Sequence, residues 1–310
     1  MDIMKTNETH IHHKNFISKH IRKWIVASLA VCLLLPFISD NSYSQQAISN
    51  PFNLEDIGQG TTPAFADLDD DGDLDLLIGS FDGEFVYFPN VGTSINPSFG
   101  TKVTNAFGLD VGSASSPTLA DLDDDGDLDL LSGESQGNFR YYENTGDETS
   151  ATFGSAQANP FGLSDVGAAS IPHFVDLDDD GDYDVLVASL GVDIYYFENI
   201  GSKTSPSFDI PQINPLGLIN NDTMELYENI GMANDPSFEA AAYNTFGNSD
   251  VGADAAVTSG DLNGDGDTDL LVGTFAGDLF FFEVRISTLP ASFLDPVENP
   301  FSLTDATTGT

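Results

Sequence analysis

The chain has 310 residues, of which 50 are Asp or Glu and only 9 are Lys or Arg, so its formal net charge is −41. Hydrophobic residues make up 40% of the chain, which is enough for a folded core despite this charge. Beyond residue 46 the basic residues are Lys102, Arg140, Lys203 and Arg285. These scattered cations cannot form the basic face that nucleic acids and anionic membranes require, so both classes of partner are excluded.

Residues 1–44 are predicted to be a signal peptide with a helical apolar core. Basic residues precede the apolar run Ile25 to Ile38, which is short for a membrane span but typical of an export signal. Small residues at Ser42 and Ser44 predict cleavage before Gln45. A retained N-terminal anchor is the alternative. We therefore expect a protein that is secreted or held at the cell surface, with no membrane insertion after cleavage.

The chain from residue 45 to 298 reads as a repeat array. An Asn-Pro-Phe motif or a close variant recurs, and the intervals between its copies are 55, 54, 55, 30 and 55 residues. Such a period indicates a propeller, a solenoid or an array of modules. The units are 50–104, 105–158, 159–213, a truncated unit 214–243, and 244–298, and residues 299–310 begin a further unit or form a tail.

Short apolar segments within each unit predict an all-β fold. They are rich in β-branched and aromatic residues, and Gly-bearing turns separate them, as in LLIGS (76–80) followed by EFVYF (84–88). The segments are apolar at nearly every position rather than alternating, which indicates strands covered on both faces. About four strands per 55-residue unit predict the blades of a β-propeller. A solenoid, whose repeats are usually shorter, is the structural alternative.

Four Asp-rich stretches of nine residues carry the chemistry of the chain. All four fit the pattern D-x-[DN]-x-D-G-x-x-D, and their alternate residues can direct oxygen atoms at one cation. Crowded carboxylates repel one another unless a cation is present, and an all-oxygen ligand set favours calcium over zinc or copper. Magnesium is possible but prefers fewer protein ligands. Solvated acidic turns without a metal are the plain alternative.

We predict about four calcium ions, one in each stretch. Residues at positions 1, 3, 5 and 9 are expected to bind through side chains and the residue at position 7 through its carbonyl. The predicted ligands are Asp67, Asp69, Asp71, Asp73 and Asp75; Asp121, Asp123, Asp125, Asp127 and Asp129; Asp176, Asp178, Asp180, Asp182 and Asp184; and Asp261, Asn263, Asp265, Asp267 and Asp269.

An EF-hand is excluded as the source of this pattern. An EF-hand loop requires a bidentate Glu at position 12 and flanking helices. Position 12 in these stretches is Ile78, Ser132, Val187 or Val272, and each lies in a predicted strand. The acidic residue at position 4, such as Asp70, is expected to face solvent.

The Asp stretches, the preceding Thr62-Pro63 and Ser116-Pro117, and the Phe-Gly pairs at 107–108 and 161–162 resemble FG-GAP repeats. The resemblance extends over about residues 50–300 and is closest to bacterial FG-GAP-like or VCBS repeat proteins. It implies a propeller like that of integrin alpha subunits, with four antiparallel strands in each blade and calcium held in a hairpin loop. Family members are mostly exported binding or adhesion modules, sometimes attached to enzymes.

The truncated fourth unit departs from the repeat pattern. Aligning Glu228-Asn229 with Glu198-Asn199 shows that the Asp stretch and the strands around it are missing. A closed five-bladed propeller and an incomplete ring both remain open, as does closure of the ring between the C-terminal and N-terminal segments.

Two classes of function remain. The first is a binding or adhesion module for an extracellular protein or glycan, with no catalytic residue and no cofactor other than calcium. The second is an extracellular enzyme, or an enzyme-associated domain, that acts on polysaccharide. His173 is the only histidine after the leader, and a strand residue is a better interpretation of it than a catalytic base.

Overall fold

The computed structural model describes residues 57–147, 149–190, 193–215, 255–262 and 269–282, with the shorter pieces 24–27, 48–49, 52, 54, 218, 225–228, 236–238 and 242–243. The predicted cleavage site and the start of a further unit at residue 299 lie outside the described residues. So does the signal helix, except that Trp24–Ala27 form a strand where a helix was expected. Among the described residues, no helix is long and apolar enough to cross a membrane.

Four sheets of four antiparallel strands are arranged as the blades of a β-propeller. The first blade contains β3 (Thr62–Ala66), β4 (Asp75–Gly79), β5 (Phe85–Phe88) and β6 (Val103–Thr104). The second contains β7 (Ser116–Ala120), β8 (Asp129–Gly133), β9 (Phe139–Tyr142) and β10 (Gln157–Ala158). The third contains β11 (Ser170–Val175), β12 (Asp184–Ser189), β13 (Ile194–Phe197) and β14 (Gln212–Ile213). The strand order in each of these three blades follows the chain, and the fourth sheet has the same antiparallel form, so the prediction of an all-β propeller is confirmed.

The last blade takes its outer strand from the other end of the chain. Its first three strands are β17 (Ala256–Gly260), β18 (Asp269–Gly273) and β19 (Leu279–Phe282). The fourth is β2 (Ile48–Ser49), which pairs antiparallel with β19. The N-terminal strand β2 thus links the start of the repeat array to the last blade. The amide of Thr61, just before the first blade, also donates a hydrogen bond to the carbonyl of Thr274 in the last blade at 3.2 Å.

The short unit contributes two described strands, β15 (Glu225–Glu228) and β16 (Ala242–Tyr243). They form a three-stranded sheet with the N-terminal strand β1 (Trp24–Ala27), in the order β1-β15-β16. Leu218 and Phe238 of the short unit lie against Leu186 and Tyr196 of the third blade. Through these described residues the short unit covers the face of the third blade that is turned away from the second blade, where a fourth complete blade would stand.

The core lies between adjacent blades, because each second strand is buried on both faces. Leu76 and Ile78 of β4 pack in the cluster shared with the last blade, whereas Leu77 packs in the cluster shared with the second blade. All three residues are fully buried. This alternation explains why the strands carry continuous apolar residues instead of the two-residue period of a sheet with one face in solvent.

The Phe-Gly pairs form turns that join one blade to the next. Phe107 and Phe161 have φ values of 60° and 57°, inside short 3-10 segments that begin each unit. The ring of Phe161 stacks edge-on against Tyr141 of the preceding blade, with ring centroids 4.9 Å apart. Phe52 contacts Phe281 of the last blade in the same way, at 4.9 Å. The aromatic residue of the repeat motif is therefore an interblade contact.

Candidate metal centre

Each described Asp loop connects the first strand of a blade to its second strand. The first loop leaves β3 after Ala66 and enters β4 at Asp75, and the loops of the second and third blades do the same. The first strands of neighbouring blades contact one another around the axis. The loops therefore emerge at the same end of the propeller, which gathers negative charge there.

The carboxylates at positions 1, 3 and 5 converge in each of three loops. In each set one oxygen from every residue lies within 4.8 Å of the others, and the sets are Asp67, Asp69 and Asp71; Asp121, Asp123 and Asp125; and Asp176, Asp178 and Asp180. Three carboxylates gathered in this way offer the hard oxygen ligands that calcium prefers. In the loop of the last blade, the predicted ligands Asn263, Asp265 and Asp267 lie outside the described residues.

Backbone conformation explains two positions of the repeated loop. The glycines at position 6, such as Gly72 with φ of 89°, adopt a left-handed conformation that favours Gly. The acidic residue at position 4 is left-handed as well, with φ of 52° at Asp70 and 62° at Asp124. Asp and Asn tolerate this conformation better than most residues. The fourth Asp, which sequence analysis assigned only to solvent, thus also shapes the turn, and at Asp124 it pairs with Lys203 of the third blade.

Internal hydrogen bonds hold each loop closed around its triad. The amide of Gly72 donates to Asp67 Oδ2 at 3.1 Å, and the amide of Asp73 donates to Asp71 Oδ1 at 3.1 Å. The second loop repeats this arrangement, with Gly126 donating to Asp121 at 3.3 Å. These contacts leave other carboxylate oxygens directed inward.

Several inward carboxylate oxygens are buried without a hydrogen-bond partner, which is the observation that tests whether a cation fits. They are Oδ1 of Asp67, Asp69, Asp73, Asp121, Asp127 and Asp182. A buried carboxylate oxygen without a donor costs free energy, and a bound cation removes that cost. The residues present therefore fit a divalent ion.

The residue at position 7 contributes more than the carbonyl assigned to it from sequence. The side chains of Asp73 and Asp127 are buried, with exposed fractions of 6% and 7%. Burial, followed by repulsion from Asp71 and Asp75, raises the pKa of Asp73 to about 6. Burial, followed by repulsion from Asp125 and Asp129, likewise raises the pKa of Asp127 to about 6. A metal ion would reverse this effect by favouring the ionised carboxylates.

The residue at position 9 anchors the blade. Asp75 is 1% exposed, and both of its oxygens accept hydrogen bonds. Tyr87 donates to Oδ2 at 2.7 Å, and the amide of Asn90 donates to Oδ1 at 2.7 Å. Asp129 and Asp184 have the equivalent Tyr and Asn partners. Ligation by position 9 stays a prediction, whereas its link between the loop and the third strand is observed.

His173 lies on the axis of the propeller and apart from the Asp triads. It lines a channel of about 200 Å³ together with Thr118, Thr258 and other residues of the first strands. Burial lowers the pKa of His173 to about 4, so the imidazole is neutral near pH 7. Its placement on β11 agrees with the interpretation of His173 as a strand residue.

The FG-GAP-like repeat model matches residues 67–132 and 121–187. Residues 67–187 therefore contain FG-GAP-like repeats. The matched residues contain the three converging triads and the strands that follow them, and the first three strands of the last blade repeat the same order outside the match. No curated protein matches the chain.

Proposed function

We propose that this protein is a secreted or cell-surface calcium-binding repeat protein, and that its FG-GAP-like propeller is a non-enzymatic binding or adhesion module for an extracellular protein or glycan. The observation that carries the proposal is the recurrence of one carboxylate triad, with buried unpartnered oxygens beside it, at the same place in three consecutive blades. A single acidic turn could be fortuitous, but three in register indicate a cation.

Calcium would contribute to stability in this proposal. The residues at positions 1, 3 and 5 would hold the ion, with position 7 beside them and position 9 tying the loop to the blade. At a calcium concentration about tenfold above the dissociation constant, each site adds about 1.4 kcal/mol, so three sites add about 4 kcal/mol. This amount is comparable with the total stability of many domains.

The first experiment is thermal unfolding of the full chain in chelator and across a calcium titration. We expect a saturable rise in Tm, and calorimetry should count at least three bound ions. A Tm that calcium leaves unchanged would contradict the proposal, because a ligand that binds only the folded state must raise stability.

Matched variants separate metal binding from a general reduction of charge. Three Asp→Asn changes at position 1 should abolish most of the calcium response: Asp67→Asn, Asp121→Asn and Asp176→Asn. Three changes at position 4 remove the same charge from the same loops but lie outside the triads: Asp70→Asn, Asp124→Asn and Asp179→Asn. Asn also tolerates the left-handed backbone at position 4. We expect these controls to keep the response, and equal losses in both sets would refute specific ligation.

The binding role is tested separately, on glycan and matrix-protein arrays probed with calcium and with chelator. Binding that requires calcium would support a propeller module whose loops present the ligand surface. Export is tested by sequencing the N-terminus of the protein recovered outside the cell, where we expect Gln45. An N-terminus upstream of residue 24 would favour the retained anchor.

A further inference from the structure

The short unit has a strand edge that its own sequence does not fill. In the third blade, the third strand β13 pairs with the second strand β12 on one edge and with the outer strand β14 on the other. The short unit has the counterparts of β13 and β14 in β15 and β16, which pair with each other. Its sequence lacks the segment that would supply a second strand, so the unit itself offers no partner for the other edge of β15.

Strand β1 pairs with that edge in the orientation of a second strand. It runs antiparallel to β15, with Ile25 opposite Tyr227 and Val26 opposite Leu226. Tyr227 precedes Glu228-Asn229, as Phe197 precedes Glu198-Asn199 in the third blade. Since Phe197 pairs with Val185, Ile25 takes the position of Val185, at the start of the buried part of a second strand.

The sequence of β1 suits the burial that this position imposes. The residues at the position of Ile25 in the complete blades are Leu76, Leu130, Val185 and Leu270, and all are 0% exposed. The residues at the position of Val26 are Leu77, Leu131, Leu186 and Leu271, and none is more than 4% exposed. An added strand must therefore be apolar at successive positions, and Ile25-Val26-Ala27 meets this requirement.

We propose that β15 is an acceptor edge for an added β-strand, and that the strand it takes is Trp24–Ala27 of the same chain. Main-chain hydrogen bonds across the edge supply the attachment, as in other cases of strand addition. The donated strand lies within the predicted leader, so the fourth sheet is complete only while the leader is attached. This consequence rests on the export proposed above: cleavage before Gln45 would open this edge. The proposal is independent of calcium binding.

Disulfide cross-linking in the full chain tests the register. The native cysteine, Cys32, is first changed to Ser. The pair Ile25→Cys with Tyr227→Cys is directly opposed. The control Ile25→Cys with Leu226→Cys is displaced by one residue, which places the two positions on opposite faces of the sheet and outside disulfide geometry.

We expect an intramolecular disulfide in the opposed pair and its loss in the displaced pair, read by mass spectrometry and on a non-reducing gel. Opposed pairs alternate between two Cα separations, so Val26→Cys with Leu226→Cys is included as a second opposed pair. Equal cross-linking in opposed and displaced pairs, or none in any pair, would overturn the proposal. Cross-linked dimers would assign the strand to a second copy and overturn its intramolecular form.

A second measurement needs no cysteine variant. Trp24 is the only tryptophan in the chain, so its fluorescence reports on β1 alone. Trp24 precedes Ile25 as Asp184 precedes Val185, and the residues at this position in the complete blades are at most 1% exposed, so in the folded wild-type chain we expect Trp24 to be shielded from acrylamide. Val26→Pro should remove that shielding while the circular dichroism of the propeller is kept, because proline cannot complete the pairing of a strand. Quenching of the folded wild type that equals quenching of the denatured chain would refute the proposal.

Discussion

A methyl group added at Gly133 is expected to force the second and third blades apart. Gly133 ends β8, and a Cβ built there would lie 2.6 Å from the carbonyl carbon and from Oγ of Ser170, and nearer still to the carbonyl oxygen. Real Cβ atoms essentially never approach within 3.0 Å of another heavy atom in this way. Because the obstruction includes the backbone of β11, rotation of a side chain cannot relieve it.

The loss of stability in Gly133→Ala can be estimated from the hydrogen bonds that Ser170 makes. Its hydroxyl donates to the carbonyl of Asn138 at 2.7 Å and accepts from the amide of Glu134 at 3.0 Å. Overpacking costs about 1–3 kcal/mol, and loss of one of these hydrogen bonds adds about 1 kcal/mol. Ala loses less backbone entropy on folding than Gly does, which offsets about 0.5–1 kcal/mol of this destabilisation. We therefore expect a net destabilisation of about 1–3 kcal/mol.

The measurement is thermal unfolding at fixed calcium, where a loss of this size lowers Tm by roughly 2–4 °C for each kcal/mol. The third blade supplies the control, since Ala188 holds the equivalent position of β12 opposite Ile194, as Gly133 lies opposite Phe139. The following unit is the short one, whose sequence lacks a first strand to obstruct the methyl group. We expect Ala188→Gly to change stability by about 1 kcal/mol or less. An unchanged or higher Tm for Gly133→Ala would refute the steric argument.

Three further predictions concern the blades and the channel. Tyr141→Phe should lower stability by about 1–2 kcal/mol, because Asp129 loses a donor while it stays buried; Tyr195→Phe is the matched control, and equal Tm losses would contradict this reasoning. Asn144→Ala should cost a similar amount in chemical denaturation, since its Oδ1 accepts hydrogen bonds from two amides of the outer hairpin at 3.1 and 2.8 Å; wild-type stability in the variant would argue against this role. The lowered pKa of His173, about 4 against an ordinary 6.5, means that the unfolded chain gains its proton at a higher pH than the folded chain. The neutral, buried His173 therefore favours the folded state fully above pH 6.5, and this stability is lost as pH falls towards 4, by about 3 kcal/mol. His173→Gln should remove this part of the pH profile, and a difference from wild type that is constant between pH 7 and 4 would disprove it.

The chemistry of the Asp loops is determined by residues that lie close together in the sequence. A cation loop is built from alternate residues of one short segment, so Asp67, Asp69 and Asp71 converge through local geometry alone, and the structure confirms their convergence. The strand that begins at Asp75 was equally predictable, because burial on both faces requires a continuous apolar run. The repeated Gly at position 6 indicated a turn that favours Gly, and Gly72 has the left-handed backbone that explains this preference.

Contacts between distant residues had no comparable signal in the sequence. Pairing of Ile48–Ser49 with the last blade joins segments more than 200 residues apart, and a two-residue strand carries no pattern that reveals its partner. Besides the amide of Leu68 in the loop itself, Asp75 accepts hydrogen bonds from Tyr87 in the next strand and from Asn90 in the turn after it, and spacing within the loop could not show these two. The donation of Trp24–Ala27 to the short unit has the same character. It depends on the strand edge of β15, which lies about 200 residues away in the sequence, and only the tertiary structure brings this edge and Trp24–Ala27 together.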